Sequence, residues 1–121
     1  MLRLMGMGTA LAVLAITSAS AADNMANFYG NTVVCTYPTG KVTKVYTQPA
    51  GAFTVVRDGQ TINGKWVDDG STVCYSETDP APPAGTRPVC VPSKPFRVGD
   101  GWTATDPTGA SCSAILTAGH Q

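Results

Sequence analysis

Two adjacent carboxylates, Asp68 and Asp69, lie in the stretch GKWVDDGSTVCY, residues 64–75. Paired carboxylates across a cleft are the groups that hydrolyse glycosidic bonds, so this stretch is a candidate for acid–base chemistry. Adjacent side chains on a strand point to opposite faces, however, and Asp69-Gly70 is typical of a turn. Other aspartates that stand beside glycine or proline fit the same pattern: Asp58, Asp100 and Asp106. The sequence favours turns over catalysis.

The sequence contains few residues that could act as nucleophiles or bind a metal ion. The sequence holds one histidine, His120, and none of its four cysteines are paired at CxxC spacing. A zinc site needs three or four ligands at workable spacing, and a Ser-His-Asp triad needs a histidine oriented by a third group. No glycine-rich phosphate loop or GxSxG motif occurs. We therefore expect a protein that is not an enzyme, with no catalytic residue, no metal and no cofactor.

Surface recognition is the remaining chemistry, and it centres on a proline-rich stretch, residues 77–88. Proline lacks the N–H group that a strand ladder needs, so this stretch is predicted to be a surface loop with polyproline character. A rigid loop is pre-organised for docking, although the same composition suits a solvated connector. The aromatic and charged side chains beside it form a candidate partner surface: Tyr75, Glu77, Arg87, Phe96 and Arg97.

The balance of charge narrows the class of partner. Eight Lys and Arg residues match eight Asp and Glu residues, and the charges are scattered along the chain. Nucleic acids and anionic membranes attract clustered positive charge, so we expect neither as a partner. We expect a monomer whose partner is a protein of the cell envelope.

The first 22 residues have the layout of a secretory signal peptide. Arg3 precedes an uncharged run from Leu4 to about Ala19, and small residues follow in the order Ala19-Ser20-Ala21. A transmembrane helix needs roughly 18 to 20 apolar residues, and glycine and hydroxyl residues dilute this run. The nearest cysteine is Cys35, so we expect no lipid anchor. We predict a signal peptide over 1–22, a single β domain over 23–121, and a periplasmic or secreted protein.

The elements after the signal are predicted to be short strands joined by turns. Valine, threonine and tyrosine recur, and no stretch after the signal holds apolar residues at helical spacing. Asp58-Gly59 is a strong hairpin signal. Residues Ile62, Gly64 and Trp66 alternate onto one face of their strand, and the gap at Gly64 suggests a bulge or a close approach of backbone. We expect an antiparallel all-β domain of seven or eight strands, either a barrel or a sandwich.

Four cysteines lie after the predicted signal: Cys35, Cys74, Cys90 and Cys112. An even number in an exported chain indicates two disulfides, and four cysteines allow three pairings. We expect Cys74 to pair with Cys90 across the proline loop, and Cys35 with Cys112 between the first and last strands.

The order Gly-x-Trp, turn, Cys, proline loop, Cys, Gly-Asp-x-Trp and a final Cys strand resembles a class of small uncharacterised exported bacterial β-domain proteins. This resemblance implies a compartment and a β domain. A looser similarity is to the periplasmic inhibitors of c-type lysozyme, carried by VVCTYPTGKVTKVY at residues 33–46, although their Ser-Gly-x-x-Tyr loop has no counterpart here. We therefore expect a non-catalytic binding or interaction protein of the cell envelope. The alternatives are an inhibitor of a lysozyme-like or other hydrolase, and a small hydrolase.

Overall fold

The computed structural model describes residues 23–121, and it confirms the all-β prediction. The predicted signal peptide lies outside the described residues. Eight antiparallel strands follow one another along the chain: β1 (Thr32–Thr36), β2 (Val42–Gln48), β3 (Ala52–Arg57), β4 (Gln60–Asp68), β5 (Thr72–Asp79), β6 (Val89–Pro92), β7 (Gly101–Thr105) and β8 (Ser111–Thr117). Two short 3₁₀ helices, Ala26–Phe28 and Pro49–Gly51, complete the secondary structure of the described residues.

The strands form one sheet in the order β6-β5-β4-β3-β2-β1-β8-β7, which curls into a nearly closed barrel. Strands β1 to β6 pair as a meander, and β8 then pairs with β1. The seam lies between β6 and β7, which approach each other without a ladder. Of the two architectures expected from the sequence, the barrel is the one that forms. No helix among residues 23–121 is long and apolar enough to cross a membrane.

The Asp58-Gly59 signal produces the predicted hairpin between β3 and β4. Both residues adopt left-handed backbone angles, with φ of 54° at Asp58 and 74° at Gly59. This is the pattern of a type I′ turn, whose twist matches that of the flanking strands. The turn directs Arg57, the last residue of β3, toward one end of the barrel.

The predicted bulge forms opposite Gly64, in the neighbouring strand β5. The register of β4 with β5 shifts between Asn63 and Gly64. Gly64 pairs with Glu77 and Asn63 pairs with Asp79, so Thr78 is the extra residue of the bulge. Strand β5 therefore runs into the first residues of the predicted proline loop, and Glu77 belongs to a strand. The local composition does not predict this extension, because the hydrogen bonds that form it come from the partner strand β4.

The N-terminal segment closes one end of the barrel. Met25 and Phe28 are only 2% and 4% exposed. The Phe28 ring meets the rings of Phe96 and Trp102 edge-on, with centroids 6.0 and 6.1 Å away. The opposite end is framed by the turns that join β1 to β2, β3 to β4 and β7 to β8, and by the loop between β5 and β6.

Both expected disulfides form. Cys35–Cys112 joins β1 to β8 among the buried core residues, with the Cα atoms 5.5 Å apart. Cys74–Cys90 joins β5 to β6, where the two residues are register partners. Cys74 alternates with the inward residues of β5, so this second bridge lies on the outer face of the barrel.

Candidate functional site

A cavity of about 100 Å³ lies inside the barrel. It extends from Phe28 at the closed end to a polar group at the opposite end. We call that group the mouth; it consists of Tyr37, Thr43, Arg57, Glu77 and Asp106. The wall between the two ends is mainly apolar, and it includes Val33, Cys35, Val45, Phe53, Val55, Tyr75, Val91, Trp102 and Ala104.

The charged residues of the mouth arrive there through strand alternation. On β3, Phe53 and Val55 are buried on the inner face, and Arg57 is the next residue in the same phase. Strand β5 repeats this arrangement with Val73, Tyr75 and Glu77. Each strand thus ends an apolar inner face with one charged side chain at the mouth.

Arg57 and Glu77 form an ion pair that is largely shielded from solvent. Their side chains are 23% and 12% exposed, and Nη2 of Arg57 lies 2.5 Å from Oε2 of Glu77. A second contact joins Nη1 to Oε1 at 3.5 Å. The hydrogen bond to Glu77 raises the pKa of Arg57 against the opposing effect of burial, so the guanidinium keeps its charge.

Two turns meet on the other side of the mouth. Tyr37 begins the turn after β1, and its hydroxyl donates to Oδ2 of Asp106 at 2.8 Å. Burial and this hydrogen bond raise the pKa of Tyr37. Burial opposes ionisation of Asp106, but hydrogen bonds from Thr108, Tyr37 and the Ala110 N–H group outweigh it and lower the pKa of Asp106.

Tyr75 lies deeper in the cavity wall. Its ring meets Phe53 edge-on at 5.1 Å, and its hydroxyl lies 3.4 Å from Oγ1 of Thr47. Burial raises the pKa of Tyr75 to about 12. The phenol is therefore a neutral part of the wall throughout the physiological range.

The carboxylate pair in GKWVDDGSTVCY occupies the turn between β4 and β5. Oδ1 of Asp68 accepts the N–H of Gly70 at 2.8 Å. Oδ1 of Asp69 accepts the N–H groups of Ser71 and Thr72 at 2.8 and 2.7 Å, and these bonds lower the pKa of Asp69. The turn interpretation is confirmed, and both carboxylates lie at the end of the barrel opposite the mouth.

The five residues predicted as a partner surface are divided among different places. Tyr75 and Glu77 line the cavity. Arg87 is exposed in the proline loop just before β6, whereas Phe96 and Arg97 follow β6 at its other end. Phe96 packs on Trp102 with ring centroids 4.4 Å apart, and Arg97 is exposed. The structure brings Tyr75 and Glu77 together, and it leaves Arg87 apart from Phe96 and Arg97.

Sequence reasoning missed four of the five residues of the mouth as members of a site: Tyr37, Thr43, Arg57 and Asp106. The signal for Arg57 was available, because it continues the phase of Phe53 and Val55 at the end of β3. Thr43 had no such signal, since threonine is common on both faces of strands. Among residues 23–121, no group of three His, Cys, Asp or Glu side chains is placed to hold a metal ion.

Comparisons with protein-family models, with curated proteins and with solved structures found no match to this chain. The resemblances noted from the sequence therefore stay predictions.

Proposed function

We propose that this chain is an exported, non-catalytic binding protein that holds a small, mainly apolar molecule inside its barrel. The cavity carries this proposal. Native interiors are close-packed with few voids larger than a water molecule, so a space of about 100 Å³ is unusual in a barrel of this size. An eight-stranded barrel is just wide enough either to fill its interior with side chains or to hold one small ligand.

The residues around the cavity support a ligand rather than a packing defect. The small side chain of Ala104 lines the cavity on β7 and leaves space that a larger apolar side chain could occupy. The polar groups are collected at the mouth, and the wall behind them is apolar. This division is typical of small-molecule sites, where an apolar pocket buries the ligand and a few polar groups orient it.

The disulfides support the compartment and the rigidity of the site. Two disulfides in a small domain indicate an oxidising compartment. We place the protein in the periplasm or outside the cell, where it would meet its ligand. Cross-linking of β1 to β8 and of β5 to β6 holds the cavity wall in one arrangement, which lowers the entropic cost of binding.

Benzene is a suitable probe for the proposal, because a cavity of about 150 Å³ lined by apolar side chains is known to bind it. We expect benzene to shift the amide NMR signals of Val55 and Trp102 in the exported protein. Ala104→Leu should abolish the shifts by filling the cavity. Thr103→Leu, which adds the same side chain on the exposed face of β7, should preserve them. Unshifted wall signals, or equal shifts in the two variants, would contradict the proposal.

A further inference from the structure

The mouth holds a hydrogen-bond donor that has no acceptor among residues 23–121. Arg57 directs its two terminal nitrogens to Glu77. Its third nitrogen, Nε, is buried and has no hydrogen-bond partner among the described residues. A buried N–H group without a partner destabilises the folded state, so each such group calls for an explanation.

Thr43 supplies a second unsatisfied group in the same place. Thr43 is 4% exposed, and its Oγ1 also has no hydrogen-bond partner among residues 23–121. The hydroxyl is close enough to Tyr37 to act on the pKa of that phenol, which it lowers. It does not meet the geometry of a hydrogen bond. Strands β2 and β3 pair Lys44 with Val56, and the same register extended by one residue sets Thr43 beside Arg57.

The charges at the mouth indicate which ligand these two groups suit. Arg57 is already paired with Glu77, and Asp106 adds a second carboxylate nearby. A ligand anion would be repelled by the carboxylates of Glu77 and Asp106. The single guanidinium that could attract it is already paired with Glu77. A ligand cation would lie against the Arg57 guanidinium, and it could not accept the hydrogen bond that Nε donates. An uncharged acceptor oxygen takes the Nε proton without burying a further charge.

We infer that the ligand is an uncharged molecule with an apolar ring or short chain and one acceptor oxygen, such as a ketone or an ether. The oxygen accepts from Arg57 Nε and lies beside the Thr43 hydroxyl, and the apolar part occupies the cavity behind it. This inference rests on the proposed function, because it names the class of ligand for the same cavity.

Three probes of related size separate the alternatives. Cyclohexanone carries the acceptor oxygen, methylenecyclohexane has the same shape without an acceptor, and cyclohexanecarboxylate carries a negative charge. Dissociation constants follow from amide NMR titrations of the exported protein. We expect the ketone to bind roughly tenfold more tightly than methylenecyclohexane, since its oxygen accepts from a charged donor. The carboxylate should bind most weakly.

Variants connect the preference to the two groups. Arg57→Leu combined with Glu77→Leu removes the donor without leaving a charge unpaired, and it should remove most of the preference for the ketone over the hydrocarbon. Thr43→Val keeps the shape of the side chain and should reduce the preference for the ketone severalfold. It tests the inference independently if the double variant does not fold. Arg87→Met removes an exposed guanidinium at the same end of the barrel and should change nothing.

The outcomes separate the class of ligand from the proposal that the cavity binds a ligand at all. Equal binding of ketone and methylenecyclohexane would overturn the inference and leave the cavity as an apolar site. Tightest binding of the carboxylate would also overturn it. Failure of all three probes to shift the cavity signals would contradict the proposed function itself.

Discussion

Asp106 accepts hydrogen bonds from the Tyr37 hydroxyl, the Thr108 hydroxyl and the backbone N–H groups of Thr108 and Ala110. Together they lower its pKa below the ordinary value of 3.8. The unfolded chain therefore binds this proton at a higher pH than the native protein does. Ionised Asp106 stabilises the fold fully above about pH 5, and this stabilisation is lost as the pH falls through 3.8 and below.

We expect Asp106→Asn to lower the free energy of unfolding by about 1 kcal/mol or more at pH 7, because the four hydrogen bonds that Asp106 accepts lose their charge assistance. The gap to the wild-type protein should narrow as the pH falls below 4, where the native carboxylate also takes up its proton. Urea unfolding over a series of pH values measures this. Asp58→Asn removes a carboxylate from an exposed ion pair and should stay within about 0.5 kcal/mol of wild type. A gap for Asp106→Asn that is constant with pH would contradict the argument.

At the scale of elements, β4 depends on the absence of a side chain at Gly64, opposite the bulge in β5. A Cβ atom built on Gly64 would lie 2.5 Å from Cε1 and Cζ of Phe53, and it would clash with the carbonyl oxygen of Ser76. Just beyond, the Trp66 indole donates its N–H to the carbonyls of Gln48 and Ala52 at 3.0 and 2.9 Å. The missing side chain of Gly64 thus lets β4 pack closely on β3, and Trp66 lies over the neighbouring backbone, as the sequence suggested.

We expect Gly64→Ala to destabilise the protein by about 2 kcal/mol, because β4 must move away from both Phe53 and β5 to admit the methyl group. The midpoint of urea unfolding measures the loss. Lys65→Ala, one residue further on the exposed face of the same strand, should change stability by less than about 0.5 kcal/mol. Equal stability of the two variants would contradict the close contacts of Gly64 with Phe53 and Ser76.

At the scale of the whole molecule, the two disulfides tie loops of very different length. Cys74–Cys90 spans 16 residues of sequence on the outer face, and Cys35–Cys112 spans 77 within the core. By loop-closure entropy the short bridge contributes about 3 kcal/mol and the long one about 4.5 kcal/mol. Removing the long bridge also leaves space in the buried core around Leu116 and Ala114.

We therefore expect the double variant Cys35→Ala/Cys112→Ala to lose more stability than Cys74→Ala/Cys90→Ala. Guanidinium unfolding of the two variants beside wild type measures the order. The reverse order would show that the seam between β6 and β7, next to the outer bridge, limits the stability of the barrel. A free thiol in the native exported protein would contradict both pairings.

The sequence by itself determined the local features of this protein. Strand periodicity, the Asp58-Gly59 hairpin, the turn at Asp68 and Asp69 and the gap at Gly64 each depend on a few neighbouring residues, so they could be deduced from short windows. The cysteine count predicted two disulfides, but it allowed three pairings, and the structure selects the expected one. Tertiary structure decided the barrel, the extension of β5 to Asp79 and the mouth of the cavity. Thr43, Arg57, Glu77 and Asp106 come from four strands and turns, and only the closing of the sheet, which depends on pairings between distant segments, brings them together.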